Sequence, residues 1–341
     1  MVVVESYFIA VLMCFVTMLC WGSWANTQKL ASKEWRFQLF YWDYAIGVFL
    51  LSLIFACTLG STGSAGRPFF ADLQQASGSA LGYAFFGGVI FNLSNILLVA
   101  AIDIAGMAVA FPIGVGLALA IGVVVNYIGE PVGNPVLLFL GVGIVVLAII
   151  VDALAYKKLP AEGQKTTTKG IVISVSAGVL MGWFFRFVVK SISPAFISGQ
   201  DYMNLQAGYL SPYTAVVLFS AGLLLSNFLW NSIVMAKPFV GEPVPYGDYF
   251  KKGNLRLHLI GILGGIIWNV GMSFSIIASG VAGPSISYGL GQGATMIAAF
   301  WGVFIWKEFK QAPPETNKLL TAMFVFYIIG LALIIISRLA G

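Results

Sequence analysis

Ionisable side chains inside apolar segments are the first residues in this sequence that could carry chemistry. Asp43 lies in FYWDY and Arg186 in WFFRF, each within a long apolar stretch. A charge at the centre of a membrane helix costs about 2.5–3.5 kcal/mol on insertion scales, so such residues are functional candidates. Asp43 could bind a proton, accept a hydrogen bond from a solute, or sit as an interfacial carboxylate. Arg186 is interpreted as a gate or interface charge, and Asp103 and Asp152, near predicted helix ends, as structural.

Uncharged polar side chains in the middle of apolar segments form a second group. Asn92 and Asn95 are three residues apart, and Tyr288 and Gln292 are four apart, so each pair shares one helix face. A buried amide needs a partner, which can be a solute or a neighbouring helix, and both roles stay open. Amides and indole rings suit a neutral, hydrogen-bonding solute. The predicted solute-binding residues are Asn92, Asn95, Trp268, Asn269, Tyr288, Gln292, Trp21 and Trp24.

Motifs for catalysis, metal binding or nucleotide hydrolysis are missing from the sequence. His258 is the only histidine, and the three cysteines form no CxxC pair, which argues against a metal site. The central EGQKTTTK stretch lacks the spacing of a phosphate-binding loop, and the glycine-rich GLGQG has no strand–helix context for a dinucleotide. GLGQG and PIGVG could instead kink a helix or pack helices closely. We therefore predict no enzyme, no cofactor and no nucleic-acid partner.

The composition places these residues in an integral membrane protein. Hydrophobic residues make up 59% of the 341 and charged residues 9%, against roughly 25% charged in an ordinary soluble domain. The apolar blocks are long enough to cross a bilayer, which takes about 20 residues each. Very short turns at 103–105 and 280–283 predict two tight helical hairpins. The predicted spans are 6–26, 39–60, 80–102, 106–127, 136–155, 169–189, 213–235, 257–279, 284–306 and 319–338.

An internal repeat divides the ten predicted spans into two halves. A shift of 177 residues places 87–116 on 264–293 with nine identities, among them Asn92 on Asn269. Five spans per half is an odd number, so the second half enters the membrane the opposite way up, as in many transporters. We predict an all-α membrane protein with two inverted five-helix repeats, 1–158 and 159–341, in one membrane domain.

Lysine and arginine predict the orientation of the chain. The odd-numbered loops between spans carry 14 of these residues, whereas the even-numbered loops and the tail carry three, Arg67, Lys190 and Arg338. The positive-inside rule then puts the odd-numbered loops in the cytoplasm and both termini on the outer side.

Several segments resemble a known superfamily. GGVIFNLSNILLVAAIDIAG and GGIIWNVGMSFSIIASGVAG resemble the drug/metabolite transporters, which have ten spans in two inverted repeats. FYWDY, RPFFADL and FWGVFIWKEF resemble the ureide permease branch, and the eighth and ninth spans also resemble bacterial glucose and L-rhamnose porters. The resemblance, over 7–338, implies proton-coupled uptake of sugars or of ureides and nucleobases, with Asp43 at the branch's acidic position. Plant ureide permeases have a long central loop with a Walker-like stretch, and the short loop here departs from that pattern.

These observations together predict a secondary active transporter. We expect it to import a small neutral polar metabolite by alternating access, either a monosaccharide or a ureide- or nucleobase-like solute, with proton coupling through Asp43. An exporter of drugs or metabolites is the alternative. The expected partners are the solute, protons or Na⁺, and the lipid bilayer. The expected state is a monomer or homodimer in a bacterial inner (plasma) membrane.

Overall fold

Ten long apolar helices make up most of the described structure. The computed structural model describes residues 1–32, 34–159 and 168–341, with backbone alone at 107 and 108. Two lysines of the orientation count, Lys33 and Lys165, lie outside the described residues, and so does most of the EGQKTTTK stretch, at 162–167. Within them ten helices are long and apolar enough to cross a membrane, which confirms the predicted all-α membrane fold. We label them α1 (Tyr7–Ala31), α2 (Phe37–Cys57), α3 (Gly78–Ala105), α4 (Val109–Gly129), α5 (Pro135–Tyr156), α6 (Thr168–Ser191), α7 (Pro212–Ala236), α8 (Leu255–Ala282), α9 (Pro284–Ile305) and α10 (Thr316–Leu339).

Polar residues at the loop–helix junctions fix where several helices begin. The side chains of Ser77, Asn134, Ser211 and Asn254 accept hydrogen bonds from backbone N–H groups in the first turns of α3, α5, α7 and α8. Proline follows Asn134 and Ser211 directly, where its missing N–H costs nothing. These caps satisfy backbone donors that would otherwise lack partners at a membrane boundary.

The two predicted hairpins are present, but each turns at a single residue. Residues 103–105 and 280–282, predicted as turns, are the last residues of the helices before them. Gly106 separates α3 from the helix that follows it, and Gly283 separates α8 from α9. Their φ angles are +77° and +87°, a region that glycine adopts without the steric cost of a Cβ. Gly106 and Gly283 are equivalent under the 177-residue shift, so the two halves use the same device.

Helix contacts follow one pattern in both halves. The α3 helix packs on α6 and α7, and its repeat equivalent α8 packs on α1 and α2, while α5 pairs with α10. A Cβ at Gly88 would collide with the backbone of Phe219 in α7, and one at Gly265 would collide with Tyr44 in α2. These equivalent glycines let helix backbones touch, as small residues do in membrane bundles. The division into two inverted repeats stays a prediction.

The glycine contact between α3 and α7 generates a stability prediction. Gly88→Val places a branched side chain against the Phe219 backbone, and such overpacking costs about 1–3 kcal/mol. We expect a lower midpoint of thermal unfolding in detergent and a lower yield of folded protein. Gly82→Ala is the control, because Gly82 is exposed on the same helix with no atom within 4 Å of the added Cβ. An unchanged midpoint for Gly88→Val contradicts the close contact.

Candidate solute-binding cavity

A cavity of about 540 Å³ lies between helices of both halves. Small-molecule sites occupy roughly 300–1,000 Å³, so the volume suits a metabolite. The wall runs from Trp268 and Phe184, both buried, to Lys29 and Glu308, whose side chains are 43% and 29% exposed. The mouth therefore lies on the face of the bundle that carries the odd-numbered loops.

Aromatic rings form the inner end of the cavity. The indoles of Trp21 and Trp268 are nearly parallel, at 13°, with ring centroids 5.8 Å apart. The ring centroid of Phe91 lies 4.5 Å from that of Trp268, and Trp21 Nε1 donates a hydrogen bond to the Trp268 carbonyl oxygen. Trp24 lines the same wall and packs against the ring of Tyr44. These contacts hold flat apolar surfaces in place, and a planar or pyranose ring can stack on them.

Amide side chains supply polar groups next to these rings. Asn95 lines the cavity, and its amide nitrogen donates to the Tyr41 hydroxyl at 3.1 Å, which leaves its carbonyl oxygen for another donor. Gln292 lies where α9 is interrupted, between a helix that ends at Gly291 and one that begins at Ala294. The GLGQG sequence thus breaks its helix beside the cavity, the arrangement found at transporter binding sites. In contrast, α4 continues through Pro112 of PIGVG.

Charged residues line the wall nearer the mouth. Lys29 Nζ lies 2.6 Å from Glu308 Oε1, and the Tyr156 hydroxyl donates to the other Glu308 oxygen at 3.1 Å. Asp103 and Asp152 also line the cavity, although we interpreted both as structural from their places near predicted helix ends. Asp152 could have been singled out, since it is an ionisable residue inside a predicted span.

The cavity brings together five of the eight predicted solute-binding residues. These five are Trp21, Trp24, Asn95, Trp268 and Gln292. Asn92 instead bonds α3 to α7, because its amide nitrogen donates to Leu223 O at 3.1 Å and to Ser226 Oγ at 2.8 Å. Asn269 is fully buried in α8 and does not line the cavity wall.

Tyr288 supports the site from behind the wall. Its ring is fully buried, and its hydroxyl donates to Ala118 O at 3.1 Å and to Met181 O at 3.2 Å. The side chain therefore joins α9 to α4 and α6, two helices that contribute to the cavity.

Asp43, the predicted coupling residue, lies in a separate buried network. Trp35 Nε1 donates to one carboxylate oxygen at 3.1 Å, and the Tyr249 hydroxyl and His258 Nδ1 contact the other, His258 at 2.9 Å. Burial and the hydrogen bond to Asp43 both raise the pKa of the Tyr249 phenol. The network ties α2 to α8 and to the loops before each of them, and it is not part of the cavity wall.

Arg186 lies at the opposite face of the bundle from the cavity mouth. Its guanidinium packs against Gly129 at the end of α4, close to Glu130. This position is compatible with the predicted gate or interface role, which stays a prediction.

Ten apolar helices around a cavity of metabolite size are the architecture of an integral membrane transport protein. The model of the ureide permease family matches residues 40–168 and 161–337, so this chain belongs to the ureide permease family. It is a transporter of small solutes and not an enzyme.

Relatives in this family are similar along the whole chain. Ureide permease 1 of Arabidopsis thaliana is 22% identical over 388 residues, and ureide permease 4 of the same plant is 23% identical over 401, each covering 99% of both proteins. A solved structure described as "Crystal structure of protein" superposes with a TM-score of 0.58 at 15% identity over 98% of both chains, which shows the fold alone. The wider superfamily, the sugar porter branch and the bacterial membrane stay predictions.

Water access to the cavity can be tested by thiol labelling. Ala298 lines the cavity, whereas Phe300 is 46% exposed on the outside of the bundle, where lipid would surround it. With Cys20 and Cys57 replaced by alanine, we expect a membrane-impermeant maleimide to modify Ala298→Cys in sealed vesicles from the face with the odd-numbered loops. Phe300→Cys should react slowly from either face. Failure of Ala298→Cys to react from that face contradicts the open mouth.

Proposed function

We propose that this protein imports a small, neutral, hydrogen-bonding solute of the ureide or nucleobase class, coupled to protons, by alternating access. The observation that carries the proposal is the cavity, in which a stacked indole pair stands beside two amide side chains. The names of the plant relatives support a ureide-like solute. The monosaccharide expected from the sugar porter resemblance is the competing solute.

Recognition of the solute is assigned to the inner end of the cavity. The faces of Trp268 and Trp21 would stack on a planar ring. Asn95 and Gln292 would exchange hydrogen bonds with ureide C=O and N–H groups, since an amide side chain both donates and accepts. A solute that satisfies these groups replaces the water they would otherwise hold, which favours polar over purely apolar compounds.

Charge and the position of the mouth support a cavity that opens to the cytoplasm, as the proposed import requires. The lysine and arginine bias supports cytoplasmic odd-numbered loops, and the cavity opens on that same face. In this reading the described conformation is the one that releases solute to the cytoplasm. Opening to the other side would exchange the roles of the two pseudo-symmetric halves.

Uptake into proteoliposomes tests the proposal directly. We expect an inward proton gradient to drive accumulation of labelled allantoin or uracil, with little accumulation of glucose, ribose or rhamnose. Trp268→Ala should abolish that accumulation by removing the stacking face, whereas Phe304→Ala, on the exterior, should leave it unchanged. Accumulation of a sugar alone would show that the solute is a monosaccharide and not a ureide or nucleobase. If folded protein accumulates none of these solutes, export is favoured.

Asp43 is the residue that the sequence nominates for proton coupling, and it is buried in contact with Trp35, Tyr249 and His258. We expect Asp43→Asn to lose gradient-driven accumulation while keeping solute exchange across the membrane, because a neutral side chain cannot release a proton. The control is Glu34→Gln, since Glu34 is an exposed carboxylate whose side chain is 57% accessible. Unchanged accumulation by Asp43→Asn would remove Asp43 from the coupling step.

A further inference from the structure

The charges on the cavity wall do not balance. Among the described residues, the charged side chains that line the cavity are Lys29, Asp103, Asp152 and Glu308. One ammonium faces three carboxylates, so a neutral solute leaves the cavity with an excess of negative charge. A low-dielectric setting penalises that excess, and a proton or another cation removes it.

The buried Asp152 and the partly exposed Glu308 have different environments. Glu308 has a cationic partner at 2.6 Å in Lys29 and a hydroxyl donor at 3.1 Å in Tyr156. Asp152 is 5% exposed, and its Oδ1 has no hydrogen-bond donor within the described part of the chain. Both carboxyl groups line the cavity, and Tyr156, one turn after Asp152 on α5, donates to Glu308.

The two carboxylates differ in what offsets their mutual repulsion. A nearby cation and a hydroxyl donor offset that repulsion at the carboxylate they contact. Glu308 has both partners. Asp152 lacks these partners and is then the group that takes up a proton. A hydronium ion that reaches the cavity gives its proton to the Asp152 oxygen that lacks a donor, which forms an O–H bond there and leaves a water molecule.

Other titratable groups around Asp152 do not change this assignment. Tyr156 lies one turn further along α5 and already donates to Glu308, and Tyr327 approaches from α10. The tyrosine of α4, Tyr127, packs on Phe139 near the opposite end of α5. A cation other than Lys29 is absent from the described cavity wall.

We infer that Asp152 is the proton-binding residue of the solute cavity, with Glu308, which Lys29 and Tyr156 hold in place, as the positioning residue beside it. This inference rests on the proposed function for its role in coupling. Bound proton and bound solute would share one cavity, so the neutral Asp152 can donate a hydrogen bond to a solute C=O. Asp43 lies in a different network, and the result for Asp43→Asn leaves this test intact.

Infrared spectroscopy of the purified protein tests the proton site without any solute. We expect a carboxylic C=O band that titrates with pH in the wild type and in Glu34→Gln, and that is lost in Asp152→Asn. Glu308→Gln should move the titration of the band to lower pH, because it removes the negative charge that favours the protonated form. Persistence of the full band in Asp152→Asn would overturn the inference.

Transport then tests the coupling role. Asp152→Asn, which is isosteric with the neutral acid, should keep solute exchange and lose the stimulation of uptake by a proton gradient. Full stimulation in Asp152→Asn, or stimulation of the wild type by a sodium gradient alone, would overturn the inference. If the wild type moves none of the solutes, the proposed function fails, and the infrared band still decides whether Asp152 binds a proton. Thermal unfolding of each variant in detergent separates loss of function from loss of fold.

Discussion

Hydrocarbon offers no hydrogen-bond partner to a polar group, and this constraint decides both the fold and the position of the site. Every spanning segment must satisfy its own backbone, which leaves helices as the solution for this chain. A polar side chain exposed to hydrocarbon also lacks hydrogen-bond partners, so ionisable side chains within spans belong in the interior of the bundle. Asp43 and Asp152 follow this rule in two ways. Three hydrogen-bonding side chains surround Asp43, whereas Asp152 borders a cavity that water can enter.

Close backbone contact at two glycines also fixes where the aromatic rings at the inner end of the cavity lie. Lipid gives no hydrophobic drive for helix association, so contact surfaces must come from packing. Gly88 holds α3 against α7, and Gly265 holds α8 against α2. Phe91 lies three residues after Gly88, and Trp268 lies three residues after Gly265. Both side chains line the cavity wall, and their ring centroids are 4.5 Å apart. Two side chains at equivalent positions under the 177-residue shift therefore meet at the inner end of the cavity.

The same geometry explains which parts of the site could be predicted. Each residue turns a helix by about 100°. Asn92, one position after Phe91, therefore points toward α7, and Asn269, one position after Trp268, lies off the cavity wall. Asn95, four positions after Phe91, returns to the cavity face. Sequence gives the spans, the hairpins and the candidate polar residues, because length and apolar character specify them. It does not give the rotation of a helix when lipid-facing and buried sides are equally apolar, so cavity-facing and helix-bridging amides look alike.

The ion pair at the mouth of the cavity is a weaker contact than the aromatic packing at its inner end. Lys29 belongs to α1 and Glu308 follows α9, so their contact joins the first half of the chain to the second. Partly exposed ion pairs contribute only about 0–1 kcal/mol, which makes this contact inexpensive to break and re-form. The buried aromatic contacts of Trp21, Phe91 and Trp268 are more costly to separate. The ion pair at the mouth is therefore the less costly contact to break, and the inner ring cluster is the more costly one.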